Sequence, residues 1–319
     1  MNLPSEFIHN IEGVFGEAGR QFLASLPASI NEASQKWDLT DIQPVPTLSY
    51  NFAAFAKRPS TTPLRGSAQD EVVLKMGVPD RELKSEMAAL RLFNGVGACR
   101  LIDCDEEKYR MLLERLQPGV MLLTLADDEE ATHIAAEVAQ KIWRPVEQVG
   151  ARHVVPLQNF IRLSDWFDGL KRLRARFDGG TGPFNEKLVA RVERSVKDFF
   201  AENHKPVLMH GDFHHFNILS SERGWLVIDP KGVIGPACYE VGPFLINPWG
   251  DLSKIKDHVR MTRRRIDILH EHLGFERERI REWGLAHAIL SAWWSFTDNG
   301  EWRYTAKFAE MIADLPLGS

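Results

Sequence analysis

The chain has 319 residues, 44% hydrophobic and 26% charged, a balance that excludes disorder, collagen and coiled coil and admits about two domains. At this length roughly three quarters of the unfolded surface can be buried, so no metal or disulfide staple is needed to hold a core. With 39 basic against 44 acidic residues the formal charge is −5, which leaves no electrostatic footprint for nucleic acid and mildly suits a cationic small ligand. Cys99, Cys104 and Cys238 cannot all pair and none sits in a Cys-x-x-Cys clip, so reduced thiols in a cytoplasmic protein are expected. The opening MNLPSEFIHNIEGVFGE has no basic segment leading into an apolar one. No stretch approaches about 18 uncharged apolar residues, so neither signal peptide nor membrane span is expected. Nothing calls for an obligate protein partner.

Residues 1–43 read as a helical extension, since Phe7, Ile8, Ile11, Val14 and Phe15, then Phe22, Leu23 and Leu26, recur at spacings of three and four, with Pro27 expected to interrupt or bend the run. From Val45 the period changes. PTLSYNFAAFAK and EVVLKMG predict a strand hairpin around the turn-rich RPSTTPLRGSAQD. RELKSEMAALRLF predicts a helix with Leu83, Met87, Leu90 and Leu92 or Phe93 on one face. ACRLIDCDEEKYRMLLERLQPG returns to strand, turning at Cys104 to Lys108 and leaving through a buried MLLERL. An N-terminal unit of sheet plus helices is therefore placed at 1–116. Residues 117–319 predict a mainly helical unit, opening with the acidic helix start DDEEATHIAAEVAQKIW. Further helices are expected at about 164–176, 185–203, 252–273 and 277–296. One interruption, VLMHGDFHHFNILSSERGWLVIDP, reads as a hairpin with function-bearing ends.

Reactive side chains concentrate there, in HGDFHHFNIL from His210 to Leu219. Aspartate and asparagine are poor strand formers, so Asp212 and Asn217 at strand ends point to a cleft rather than a core. Asp229 ends GWLVID, and a hairpin brings its two ends together. Asn217 and Asp229 thus offer two oxygens at one point with Asp212 nearby, a reasonable Mg²⁺ site completed by water and phosphate.

The D-x-x-x-x-N spacing followed by an isolated strand-ending Asp resembles the catalytic loop and metal aspartate of kinase-like phosphotransferases. The HGD opening resembles the aminoglycoside phosphotransferase family. The runs LKMGVPDRELKSEMAALRLFNGVGACRLID, LLERLQPG, DDEEATHIAAEV and HGDFHHFNILSSERGWLVIDPKGVIGPACYEVGPFLINP resemble its streptomycin and hydroxyurea resistance kinase branch over about residues 45–250. That resemblance implies an α+β, bilobal protein-kinase-like fold, with ATP (GTP as the alternative) and Mg²⁺ between a sheet-plus-helix lobe and a larger helical lobe. It implies transfer of the γ-phosphoryl group to a hydroxyl of a small cationic molecule, with streptomycin-like aminoglycosides as the leading class.

On the same basis Asp212 takes the proton of the attacking hydroxyl, and Asn217 and Asp229 hold the metal. Lys75 reaches the α/β-phosphates and pairs with Glu86, with Glu82 as competitor. The backbone of Glu114 and Leu116 meets adenine. Ser49 and Asn51 are candidate phosphate donors in a stretch, SYNFAAFA, that has none of the glycines of a protein-kinase loop. Pro230-Lys231 replaces the Phe-Gly of protein kinases, and the fixed proline φ argues against a mobile switch.

Glu240 resembles the family's acidic residue after the metal aspartate, and is either an acceptor-facing carboxylate or a brace for the catalytic core. Asp298 and Glu301 are further acceptor candidates, as are Asp165 and Asp168. Trp283, Trp293 and Trp294 read as core. The alternatives are a housekeeping kinase for a sugar or amino alcohol, a nucleotide-binding pseudoenzyme, and a metal-dependent hydrolase built on His210, Asp212 and either His214 or His215, which would point in opposite directions. In the kinase reading His210 anchors the catalytic loop through a backbone hydrogen bond.

Overall fold

The computed structural model describes residues 3–59, 71–147, 156–202, 204–248, 258–298 and 300–317. Most of the RPSTTPLRGSAQD turn and the start expected for the 252–273 helix lie outside them. Helix α1 (Ser5–Trp37) is one run with a sharp break at Gly16, whose φ of 55° and ψ of −123° are not helical. The break falls there and not at Pro27, which lies inside the helix. Proline costs one hydrogen bond, whereas the Gly16 conformation is open only to a residue without Cβ. The two arms meet closely: a Cβ on Gly19 would lie 2.3 Å from the Ile11 carbonyl oxygen.

Strands β1 (Thr40–Pro44), β2 (Phe52–Lys57), β3 (Glu71–Met76), β4 (Leu101–Asp105) and β5 (Arg110–Glu114) form one sheet in the order β1-β2-β3-β5-β4, all antiparallel. β1 corrects the helical extension drawn to residue 43, for Thr40 pairs with Lys57 and Pro44 with Ala54. Strand alternation sorts the faces. Val72, Leu74, Met76 and Leu112 pack with Phe7, Ile11, Leu26 and Trp37 of α1, while Met111 and Leu113 pack with Met87, Leu90 and Phe93 of α2 (Arg81–Phe93). Lys75 shares the α2 face with Val73. Asp80 caps α2 by accepting from the Leu83 N–H at 2.7 Å, and Asn94 ends it in the left-handed region.

Beyond β5 come β6 (Pro118–Met121), α3 (Asp128–Ile142), β7 (Arg144–Pro145), β8 (Ile161–Arg162), α4 (Leu163–Arg176) and α5 (Glu186–Ala201). Next are β9 (Val207–Met209), β10 (Ile218–Ser221), β11 (Gly224–Val227), β12 (Val233–Gly235) and α6 (Val241–Ile246). The chain closes with α7 (His258–Leu273), α8 (Arg277–Asp298) and α9 (Arg303–Ala313). The expected hairpin is β10–β11, with Ile218 opposite Val227 and Ser221 opposite Gly224, and β6 adds to its edge. The apolar VLM run belongs to another sheet, ordered β7-β9-β12-β8. Sequence reading passed over α6 and α9. The three cysteines are free thiols. Among the described residues no helix is long and apolar enough to cross a membrane.

Candidate active site

The ends of three short strands converge. The Ile228 N–H donates to the Asn217 carbonyl at 2.9 Å, extending the hairpin by one pair and leaving Asn217 beside the residue before Asp229. The Asn217 Nδ2 donates to the Asp212 carbonyl at 3.0 Å. With its nitrogen so committed, the amide presents Oδ1 on the other side. Asp229 has φ of 59° although a proline follows it, a left-handed setting that an L residue before proline avoids. Strain of this kind at a carboxylate points to a functional demand on where that carboxylate aims.

Lys75 joins the sheet to this corner. Its ammonium donates to both Glu86 oxygens at 2.6 and 2.7 Å, and to Asp229. Burial opposes the charge on Lys75, but Asp229 and Glu86 together outweigh it and raise its pKa. Asp229 is likewise held down to about 2, where burial is overcome by Lys75 and Lys231. Glu82, the competing partner, pairs instead with Lys231 at 3.1 Å. Helical spacing puts Glu82 and Glu86 on one face, one turn apart, so each meets a different lysine.

His210 locks the catalytic loop as expected, its Nε2–H donating to the Ile228 carbonyl at 2.8 Å while Nδ1 accepts from the Asp212 N–H at 3.2 Å. Burial alone would raise the pKa of Asp212, yet His214, Lys231 and His210 hold it below the usual carboxylate range, so it is an anion able to accept a proton. His214 Nε2 stands 3.4 Å from Asp212 Oδ1, whereas His215 points away and stacks on Phe244 at 4.2 Å. Both His210 nitrogens are spent on backbone groups and His215 is turned to Phe244, so the His–Asp cluster of the hydrolase alternative is not assembled around Asp212. Two protein oxygens, from Asp229 and Asn217, with phosphate and water to complete the sphere, fit Mg²⁺ better than zinc.

A cleft of about 810 Å³ opens beside Asp212. Gly211, Asp212, His214 and Lys231 lie along it, Tyr50 and Asn51 enter from the turn before β2, and Asp80, Arg81, Glu82 and Glu86 come from α2. Trp166 and Arg172 of α4, and His287, Ser291, Trp294, Ser295 and Asp298 of α8, form the far side, while Val14 and Phe15 of α1 also border it.

Asn51 and Asp298 lie at the cleft. Ser49 and Glu301 are not among its lining, and Asp165 and Asp168 are turned to Arg81 and Lys171. Glu240 is a correction on the acceptor side. At 0% exposure its oxygens accept from the His210 and Gly211 N–H groups at 2.7 and 2.8 Å, so it braces the catalytic loop, the other role open to it in the sequence. Trp283 and Trp293 are buried, but Trp294 lines the cleft, because successive helical residues diverge by about 100°. The Glu114 N–H is spent on the Arg100 carbonyl at 2.9 Å.

A sheet-and-helix unit with a buried Lys–Glu pair, facing a catalytic loop and a strand-ending aspartate, defines a kinase-like phosphotransferase. Residues 62–300 match the family model of the aminoglycoside/hydroxyurea antibiotic resistance kinases, and the chain belongs to that family. A streptomycin 6-kinase of Streptomyces glaucescens is 27% identical over 93% of this chain and 92% of its own. A hydroxyurea phosphotransferase of Kitasatospora aureofaciens is 28% identical over 93% and 81%. The crystal structure of a thermostable aminoglycoside phosphotransferase APH(4)-Ia variant, in complex with ADP and hygromycin B, shares the fold with a TM-score of 0.57 at 17% identity, over 90% or more of both chains (91% and 99%). The α+β bilobal kinase-like fold follows from that likeness, and phosphoryl transfer to a hydroxyl group from the family.

Proposed function

We propose that the enzyme moves the γ-phosphoryl group of ATP to a hydroxyl of a streptomycin-like aminoglycoside, with Mg²⁺. The observation that carries this reading is the roughly 810 Å³ cleft with Asp212 on its wall, bordered by the aromatic rings of Tyr50, Trp166 and Trp294 and the carboxylates of Glu82 and Asp298. Ring faces and carboxylates suit a cationic, polyhydroxylated acceptor. The names of the streptomycin 6-kinase relatives support the same class, and a neighbour of this fold is known with ADP. Asp229 and Asn217 would hold Mg²⁺, which when bound neutralises charge on the terminal phosphates. The chain's own residues do the remainder. Lys75, fixed by Glu86, meets the α/β-phosphates, the Glu114 carbonyl and the Leu116 N–H meet the base, Asn51 is a candidate phosphate donor, and Asp212 accepts the acceptor proton. Positioning and charge supply most of the acceleration.

The test is incubation with γ-labelled ATP or GTP and a panel of aminoglycosides, sugars and amino alcohols, with products identified by mass. Phosphorylated streptomycin is expected. Label found only on a sugar or amino alcohol would replace this reading with a metabolite kinase, and no label on any acceptor would favour a pseudoenzyme.

A further inference from the structure

The segment after Asp229 carries a charge that the transfer described above leaves unused. The Lys231 N–H donates to the His210 carbonyl at 2.8 Å, and Ser85 Oγ donates to the Gly232 carbonyl at 2.7 Å, so the backbone under this lysine is fixed from both sides. Its side chain is 27% exposed and lines the cleft beside Asp212 and Glu82. Glu82, at 3.1 Å, is the one hydrogen-bond partner of its ammonium among the described residues. Lys75 is different, for its three ammonium hydrogens meet the two oxygens of Glu86 and one of Asp229. One lysine therefore has its hydrogens on carboxylates, with one to give to phosphate only where Asp229 turns to the metal. The other has donors to spare, stands on the acceptor side of Asp229, and feels the charge of both Asp229 and Asp212.

We propose that Lys231 is a further catalytic residue, whose ammonium contacts the γ-phosphoryl group on the acceptor side while Lys75 serves the α and β phosphates. This rests on the kinase reading above. In the transfer, the acceptor oxygen bonds to the γ-phosphorus as the bond from that phosphorus to the β–γ bridging oxygen breaks. The hydroxyl proton passes to Asp212, and the electron pair leaves with ADP. Lys231 keeps its protons throughout and offsets charge on the equatorial oxygens, with Glu82 as its counter-ion before the nucleotide arrives.

A γ-phosphate contact predicts discrimination between AMP-PNP and ADP, a quantity that binding alone can read. In calorimetry with Mg²⁺, Lys231→Gln should lower AMP-PNP affinity about tenfold and ADP affinity by less than about twofold, with Lys231→Arg restoring most of the difference. Ser85→Ala, which loosens the same segment without removing charge, should shift both ligands alike. On the wild-type protein, reductive methylation mapped by mass should find Lys231 better protected by AMP-PNP than by ADP, a measurement that needs no variant to fold. Equal losses for the two nucleotides in Lys231→Gln, or equal methylation under both, would overturn the assignment. Wild-type protein that binds neither nucleotide would instead overturn the proposed function itself, and this inference with it.

Discussion

Burial pushes His210 and His287 from 6.5 down to about 4, in both against the nearby charge of Asp212 and in His210 also against the Ile228 carbonyl that accepts from its ring. Between pH 6.5 and 4 the unfolded chain binds protons that the folded chain refuses. Stability from these rings is therefore present above about 6.5 and lost as the pH falls, by up to about 3 kcal/mol each. Glu86 and Glu240, raised to about 7 by burial, work in the opposite sense over the same range, so the total slope hides the effect. The informative quantity is a difference. Denaturant melts at pH 7.5 and 4.5 should show His287→Gln losing about 2 kcal/mol less than wild type between the two, and parallel losses would refute the assignment. The catalytic carboxylates separate by what they touch. Asp212→Ala should cut turnover by about 10²- to 10⁴-fold while leaving nucleotide affinity within about twofold, since the base acts on the acceptor. Asp229→Ala should weaken Mg²⁺-dependent nucleotide binding as well, and titrations indifferent to both Asp229 and Mg²⁺ would remove it from the metal.

Contact between α2 and the segment after Asp229 sets the position of the Lys75–Glu86 pair. Gly232 has φ of 64°, and a Cβ there would lie 2.6 Å from both the carbonyl oxygen and Oγ of Ser85. Gly232→Ala should therefore push α2 outward, costing about 2 kcal/mol or more, and should weaken nucleotide affinity through Glu86. A variant with unchanged melting and unchanged affinity would show that the contact is loose. At this scale much was legible in the sequence. The poor strand formers of HGDFHHFN mark a cleft, whereas the Lys75–Glu86 pair comes from the family resemblance, with which the period-two alternation of EVVLK and the helical period of α2 agree. Two-residue strands such as β7 and β8 have no period to read. Glu240 was open because a buried carboxylate bracing two N–H groups and an exposed one facing a substrate leave the same letter in the sequence.

The cleft itself belongs to the whole molecule, which is why its walls could not be read locally: Phe15, Tyr50, Trp166, Phe216 and Trp294 come from five separate stretches of chain. The N-terminal arm is the least expected contributor, and Gly16 is what brings it there. A Cβ at Gly16 would meet nothing within 4 Å, so the case for glycine is purely conformational, resting on φ of 55° and ψ of −123°. An alanine at that position would strain the backbone by about 1–3 kcal/mol, and straightening into continuous helix relieves the strain. That movement withdraws Val14 and Phe15 from the acceptor end and leaves Lys75, Asp212 and Asp229 where they are. Gly16→Ala and Phe15→Ala should therefore raise the acceptor KM about tenfold or less, with kcat and the nucleotide KM changed by under about twofold, the pattern of lost uniform binding. Steady-state kinetics with each substrate varied in turn decide the matter. A nucleotide KM that rose in step with the acceptor KM would place the arm's influence on the sheet that it covers, and not on the cleft that it borders.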